Sequence, residues 1–179
     1  MSKKVLMIMS SAHKNGNSDL LAEEFRKGAE SAGNEVEQVF LRNQKIGYCL
    51  GCGFCQSHGG ECVLKDDMPE INQKMVDADV IVLAGPVYYY SVNGQMKTLI
   101  DRTYARFMEM ENKKLYYILS CADPSHASVD GAVAAFHGFA ICLPNAEEAG
   151  TVYGVECMEH GEVKDKPSMK EAYDMGAAV

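Results

Sequence analysis

The sequence predicts one α/β domain built on an open, doubly wound parallel sheet in three layers, and three observations carry that prediction. Three apolar runs, with a shorter and a mixed strand candidate, recur along the chain, helical spacings of apolar residues lie between them, and 179 residues suit a single domain with a substantial core. Alternation of strand and helix implies right-handed crossovers that put helices on both faces of the sheet. Ligands of such a sheet bind beyond the carboxyl ends of its strands, at a topological switch point.

The first run, Val5-Leu6-Met7-Ile8-Met9, reads as a buried parallel strand, and Leu20, Leu21, Phe25 and Ala29 place a helix soon after it. Val36–Leu41 is mixed in polarity, as an edge strand would be. From about Asn43 to Lys65 there is a long loop without secondary structure, and long ordered loops tend to be functional. Ile71 and Met75 mark the next helix and Val80–Ala84 the most apolar strand. A helix through Met96, Leu99, Ile100, Thr103 and Phe107 leads to a strand at Leu115–Leu119. A helix through Val129, Val133, Phe136 and Ala140 precedes a shorter strand at Thr151–Val155. The polar tail finishes with a short helix around Met169–Gly176, either a dimer contact or a surface helix. No repeat, low-complexity tract or linker divides the chain, so residues 1–179 form one expected domain.

Composition narrows the partners. The formal charge is −8 and the sequence pI about 5.1. With no basic block, nucleic acid and anionic membrane are poor main partners, and a phosphorylated ligand must be held by local donors. The N-terminal apolar stretch is too short for a signal-peptide core and no run approaches a membrane span, so a cytoplasmic protein is expected. Seven cysteines in a chain that needs no staples point to reduced thiols or metal ligands.

The junction after the first strand reads Ser10-Ser11-Ala12-His13-Lys14-Asn15-Gly16-Asn17-Ser18. Unpaired N–H groups of a first helical turn, the positive end of its dipole and the loop's own donors make an anion site. The loop has neither the spacing that wraps a triphosphate nor the Gly-x-Gly-x-x-Gly turn that meets a pyrophosphate, so a single phosphate monoester fits it best. The plainer alternative is that Asn17 or Ser18 caps the helix, with Asp19 competing for the dipole. Gly85-Pro86-Val87-Tyr88-Tyr89-Tyr90-Ser91 stands at the carboxyl end of the most apolar strand, close to this loop in such a fold. Its tyrosines either stack on a planar ligand or pack in an oligomer. A phosphate site beside a stacking site points to flavin mononucleotide.

Cys49, Cys52, Cys55 and Cys62 have the spacing Cys-x2-Cys-x2-Cys-x6-Cys, among Gly51, Gly53, Gly59 and Gly60. The close run of three is more typical of a [4Fe–4S] cluster than of zinc, and zinc, a redox disulfide or free thiols are the rival states. His58 is expected to be solvated, since four thiolates complete a tetrahedral set. Cys121, Cys142 and Cys157 read as isolated small residues, buried or half-buried, and His126, His137 and His160 have no recognisable partners.

Taken together these pieces resemble the NADPH-dependent FMN reductase group of the flavodoxin-like superfamily, and within it the iron–sulfur flavoproteins. The resemblance covers most of the chain. It rests on Ser-x-x-x-x-Gly-Asn-Ser at Ser11–Ser18, on the cysteine insertion ending Cys62-Val63-Leu64-Lys65-Asp66-Asp67-Met68, and on Pro86-Val87-Tyr88 leading to Met96-Lys97 and Ile100-Asp101-Arg102. Gly154, Gly161, Ala172-Tyr173 and Gly176 add weaker support. It implies a flavodoxin-like fold whose Ser11, His13, Gly16, Asn17 and Ser18 hold the FMN phosphate, with Pro86, Val87, Tyr88, Tyr89, Tyr90 and Ser91 facing the ring and Ser120 and its neighbours completing the pocket. The family often has Arg where His13 stands. Lys97, Asp101 and Arg102 are expected to hold a helix in place. The implied activity is FMN-dependent oxidation of NAD(P)H, passing electrons to a small molecule or protein, in a homo-oligomer. An electron carrier without pyridine-nucleotide activity and a zinc-stabilised interaction module are the alternatives.

Overall fold

A computed structural model describes residues 2–179. Its sheet contains β1 (Lys4–Met9), β2 (Glu35–Phe40), β3 (Val80–Tyr88), β4 (Ser91–Val92), β5 (Lys114–Ser120) and β6 (Glu147–Gly154). Five of these run parallel in the order β2-β1-β3-β5-β6, and β4 is a short antiparallel strand that folds back on β3. With β4 set aside this is the 2-1-3-4-5 order of flavodoxin-like folds. The order reverses direction at β1, so the carboxyl ends of β1 and β3 flank the switch point.

The helices are α1 (Asn17–Ser31), α2 (Phe54–Ser57), α3 (Met68–Asp77), α4 (Gly94–Arg102), α5 (Asp130–Ala140) and α6 (Ser168–Ala177). Strand alternation divides the core between two faces. Val5, Met7, Val80, Val82, Tyr116 and Ile118 pack with Leu21, Phe25, Ala29 and Ala172, under α1 and α6. Leu6, Ile8, Ile81, Leu83, Tyr117 and Leu119 pack with Ile71, Met75, Met96, Leu99 and Phe136, under α3, α4 and α5. Three layers result. On the first face α1 and α6 touch backbone to backbone: a Cβ on Gly176 would lie 2.1 Å from the Phe25 carbonyl, and one on Gly28 would lie 2.1 Å from that of Tyr173.

The sequence-based boundaries need four changes. The segment from about Asn43 to Lys65, read as a loop without secondary structure, contains the single helical turn α2. Strand β3 runs four residues past Ala84, so Gly85–Tyr88 is strand, and a tight hairpin rather than an open loop follows. Helix α4 stops at Arg102 and continues as 3₁₀ turns at Thr103–Ala105 and Phe107–Glu109, with the Thr103 hydroxyl donating back to the Ile100 carbonyl. Strand β6 begins at Glu147, where an edge strand with polar residues leaves no apolar run to read. Among the described residues no helix is long and apolar enough to cross a membrane.

Candidate functional site

A cleft of about 510 Å³ lies at the carboxyl ends of β1, β3, β5 and β6. That is within the range that takes a small cofactor. Ser11, His13, Gly16, Asn17 and Ser18 form one wall, Pro86, Val87 and Tyr88 another, and Ser120, Cys121 and Ala122 the floor beyond β5. Cys157, Met158 and His160, from the loop after β6, close it. The sequence reading gave this last segment no role. The rule that ligands gather at strand carboxyl ends, applied to the fifth strand as it was to the others, would have found it.

The Ser11–Ser18 loop is shaped by its own polar groups. The Ser11 hydroxyl donates to the His13 carbonyl at 3.1 Å and accepts from the His13 N–H at 3.2 Å, and the Gly16 N–H returns to the same carbonyl. Gly16 then enters α1 in extended conformation without a side-chain cap. The N–H groups of Asn17, Ser18 and Asp19 therefore open the helix with no intrahelical carbonyl to donate to, at the positive end of a 15-residue helix.

Asp19, expected to compete with an anion, is drawn away from the cleft. Its Oδ2 accepts from Arg42 Nη1 at 2.8 Å and from the Asn15 N–H at 3.1 Å, and Arg42 also donates to the Ser11 carbonyl. Burial holds this carboxyl above its ordinary value, against the pull of Arg42. The pair leaves little net negative charge under the loop.

Asn17 is committed elsewhere. Its Nδ2 donates to the carbonyls of Glu159 at 2.9 Å and Cys157 at 3.3 Å, and its Oδ1 accepts from the N–H groups of Gly161 at 3.0 Å and Val163 at 3.3 Å. The side chain ties the wall after β6 to the start of α1, leaving its backbone N–H to the cleft. His160 Nε2 adds a contact to the Lys14 carbonyl at 3.0 Å.

The three tyrosines separate. Tyr88 lines the cleft, but Tyr89 and Tyr90 are the two turn residues between β3 and β4, both at positive φ (48° and 60°). Such a turn matches the twist of a hairpin, at a steric cost for residues with a Cβ. Tyr89 is 99% exposed. Ser91 is the first residue of the return strand, and neither it nor Tyr89 or Tyr90 is part of the cleft lining.

Cys121 and Cys157 both reach the cleft, but from opposite faces of the sheet, whereas Cys142, expected to be at least half-buried, is exposed just past the end of α5. Burial pushes the Cys157 thiol up, so it contributes a neutral wall.

The cysteine loop lies at the far end of α4. Cys49, Cys52, Cys55 and Cys62 line one small cavity of about 130 Å³ with Phe54, Leu64 and Tyr104, and none is in a disulfide. Four positive-φ glycines, Gly51, Gly53, Gly59 and Gly60, leave the loop free to bend. The donors are the right kind and number for a thiolate-bound centre and share one cavity. Among the described residues no three His, Cys, Asp or Glu side chains converge tightly enough to hold a metal as they stand. His58 is exposed, stacks on Phe54 at 3.6 Å and places Nδ1 2.9 Å from the Phe54 carbonyl.

Residues 3–144 match the NADPH-dependent FMN reductase family. The chain belongs to this family. An iron–sulfur flavoprotein of Archaeoglobus fulgidus is 44% identical over 99 residues, 55% of this chain and 44% of that protein. The chain spans about half the length of the curated relatives it matches. Among solved structures, the NAD(P)H:quinone oxidoreductase of Methanothermobacter marburgensis superposes with a TM-score of 0.73 at 16% identity, over 99% of this chain and 96% of that one. An FMN-dependent NADH-azoreductase from Bacillus anthracis, in complex with FMN, gives 0.69 at 16% identity over 99% of each chain. These two likenesses establish the flavodoxin-like fold shared by the family.

Proposed function

We propose that this chain is an FMN-dependent NAD(P)H oxidoreductase whose cysteine loop holds a [4Fe–4S] cluster. The observation that carries the reading is the cleft at the switch point, where the open N–H groups of α1 face the strand Pro86–Tyr88. The family's description, the FMN bound by a structural neighbour and the iron–sulfur flavoprotein relatives support it.

In this reading the N–H groups of Asn17, Ser18 and Asp19 and the Ser18 hydroxyl hold the phosphate, while the Ser11 hydroxyl keeps the loop in shape. His13 and His160 supply imidazoles at the rim in place of a permanent positive charge. Pro86, Val87 and Tyr88 give the ring a flat apolar wall with backbone amides at its edge, and Ser120 closes the floor. FMN supplies the hydride and electron chemistry, and a cluster on Cys49, Cys52, Cys55 and Cys62 would supply single-electron transfer to an acceptor. The protein's task is orientation and exclusion of water. It works in the cytoplasm, as a homo-oligomer.

The test is an ultraviolet–visible spectrum of anaerobically purified protein reconstituted with FMN, iron and sulfide, followed by addition of NADH or NADPH. Flavin bands, a broad iron–sulfur absorption with about four irons per chain, and bleaching by pyridine nucleotide are expected. Stoichiometric zinc, or no metal, removes the cluster and leaves an FMN reductase. Flavin that dithionite bleaches but NAD(P)H does not identifies an electron carrier.

A further inference from the structure

The sequence leaves Arg102 as a helix-holding residue, yet its surroundings join the cysteine loop to the rest of the domain. Arg102 ends α4, is 3% exposed, and grips Asp66 with both arms of its guanidinium, Nη1 to Oδ2 at 2.6 Å and Nη2 to Oδ1 at 2.9 Å. Nη1 also donates to the Gly47 carbonyl at 2.7 Å. Asp66 in turn accepts from the Gly47 N–H at 2.9 Å and the Met68 N–H at 3.2 Å. Beside this, Asp67 accepts from the Lys45 N–H and donates its own N–H to the Lys45 carbonyl. Both stems of the loop are thus fastened to one buried ion pair, and the cysteines lie on the far side of it.

One further contact points outward from the pair. Arg102 Nη2 donates to Cys62 Sγ at 3.6 Å, within the longer reach of a sulfur acceptor. Among the described residues no other guanidinium donates to any of the four sulfurs; Cys55 Sγ has only Gln56 Nε2 at 3.8 Å, whose better partner is the Tyr104 carbonyl at 2.7 Å. Cys49 and Cys52 are exposed. Four otherwise similar thiols are therefore unequal: Cys62 is held by a rigid, charged donor, Cys55 sits in the single turn α2, and Cys49 and Cys52 lie exposed beside the glycines.

We propose that Arg102 is a positioning residue for the cysteine set: it fixes Cys62 as the stationary corner on which the loop closes, and its N–H draws charge from that sulfur, raising the reduction potential of the bound iron–sulfur centre. Hydrogen bonds to ligating sulfurs act on cluster potential in this direction, because they stabilise the more electron-rich reduced state. A planar fork that binds a carboxylate with both arms and still offers an N–H to sulfur is available to Arg and not to Lys. The proposal rests on the cluster reading above.

The test compares unsubstituted protein with Arg102→Lys, which keeps a charge opposite Asp66 but cannot span Asp66 and Cys62 together. Both are reconstituted with FMN, iron and sulfide. Iron per chain, iron loss to a chelator and the cluster potential from a spectroscopic redox titration are read. The expected result is iron uptake by both, loss from the variant several-fold faster, and a one-electron reduction equilibrium about tenfold less favourable, a shift of about 59 mV. Equal potentials and equal loss rates overturn the proposal and leave the cluster reading intact. Failure of the unsubstituted protein to take up iron overturns both. Should Arg102→Lys not fold, deuterium exchange in the unsubstituted protein decides: the Gly47 and Met68 amides must exchange at least tenfold more slowly than those of Gly51 to Gly59, and exchange as fast as the hinges overturns the stationary corner.

Discussion

Replacing Asn17 with Ala should weaken FMN binding without removing any side chain that faces the phosphate. Its amide makes four hydrogen bonds to the Cys157–Val163 segment, two near 3.0 Å and two at 3.3 Å. Taking the shorter two at about 1 kcal/mol each and discounting the longer two gives a loss of about 2 kcal/mol. Divided between global stability and the seating of the cleft wall, that loss sets an upper limit of about thirtyfold on the weakening of FMN binding. Asn17→Asp separates the two contributions. It keeps the acceptor for Gly161 and Val163 but sets a carboxylate oxygen against the Cys157 and Glu159 carbonyls, so it should be no more stable than Asn17→Ala, and the negative charge it adds at the helix start should weaken FMN binding further. Urea unfolding of the FMN-free protein and flavin-fluorescence titration measure both quantities. An Asn17→Ala variant within twofold of the unsubstituted protein in Kd, with the same urea midpoint, would refute the tether.

Three other outcomes follow from the same geometry. Asp19→Asn should tighten FMN binding by about two- to fivefold at low salt, the effect of removing one negative charge from a helix N-terminus at about 0.3–1 kcal/mol; fluorescence titration at two salt concentrations checks it, and a weaker or salt-independent affinity contradicts it. Gly176→Ala should cost about 1–3 kcal/mol in urea unfolding, because the added Cβ meets the Phe25 carbonyl at 2.1 Å and forces α1 and α6 apart. For Asp66, burial raises the carboxyl, but the Arg102 hydrogen bonds, the Gly47 and Met68 N–H groups and the Arg102 charge outweigh it and leave the carboxyl below its ordinary value. A lowered folded value means that the clamp's contribution is full above the unfolded value of about 3.9 and is lost as pH falls through the folded one. The amide NMR signals of Gly47 and Met68 should shift together with a midpoint under 3.9, and a midpoint above it would contradict the clamp.

The parallel architecture was legible because buried strands leave continuous apolar runs, and three of the five, β1, β3 and β5, did so. What escaped detection is local or long-range. The turn at Tyr89-Tyr90 lacks the Gly or Asn that marks a tight hairpin, so β4 and the extension of β3 left no signal. The Ser11–Ser18 wall and Pro86–Tyr88 come together as the strand rule requires. The commitment of Asn17 to a segment some 140 residues away is a tertiary fact that no local spacing encodes. The Asp66-Asp67 pair stood in the sequence as part of a resemblance, and its physical reason, fastening the two stems of the cysteine loop, emerges only when Gly47, Asp66 and Arg102 are seen together.

With a phosphate site at the open end of α1 and a flavin wall on the strand beside it, the phosphate carries a large share of the affinity. Titration of the flavin-free protein with FMN and, separately, with riboflavin isolates that share, since the two ligands differ only by the phosphate. FMN should bind at least a hundredfold more tightly, as expected when about 3 kcal/mol of charge-assisted hydrogen bonding is lost, and the difference should shrink in Asn17→Asp. Equal affinity for the two would contradict the phosphate site.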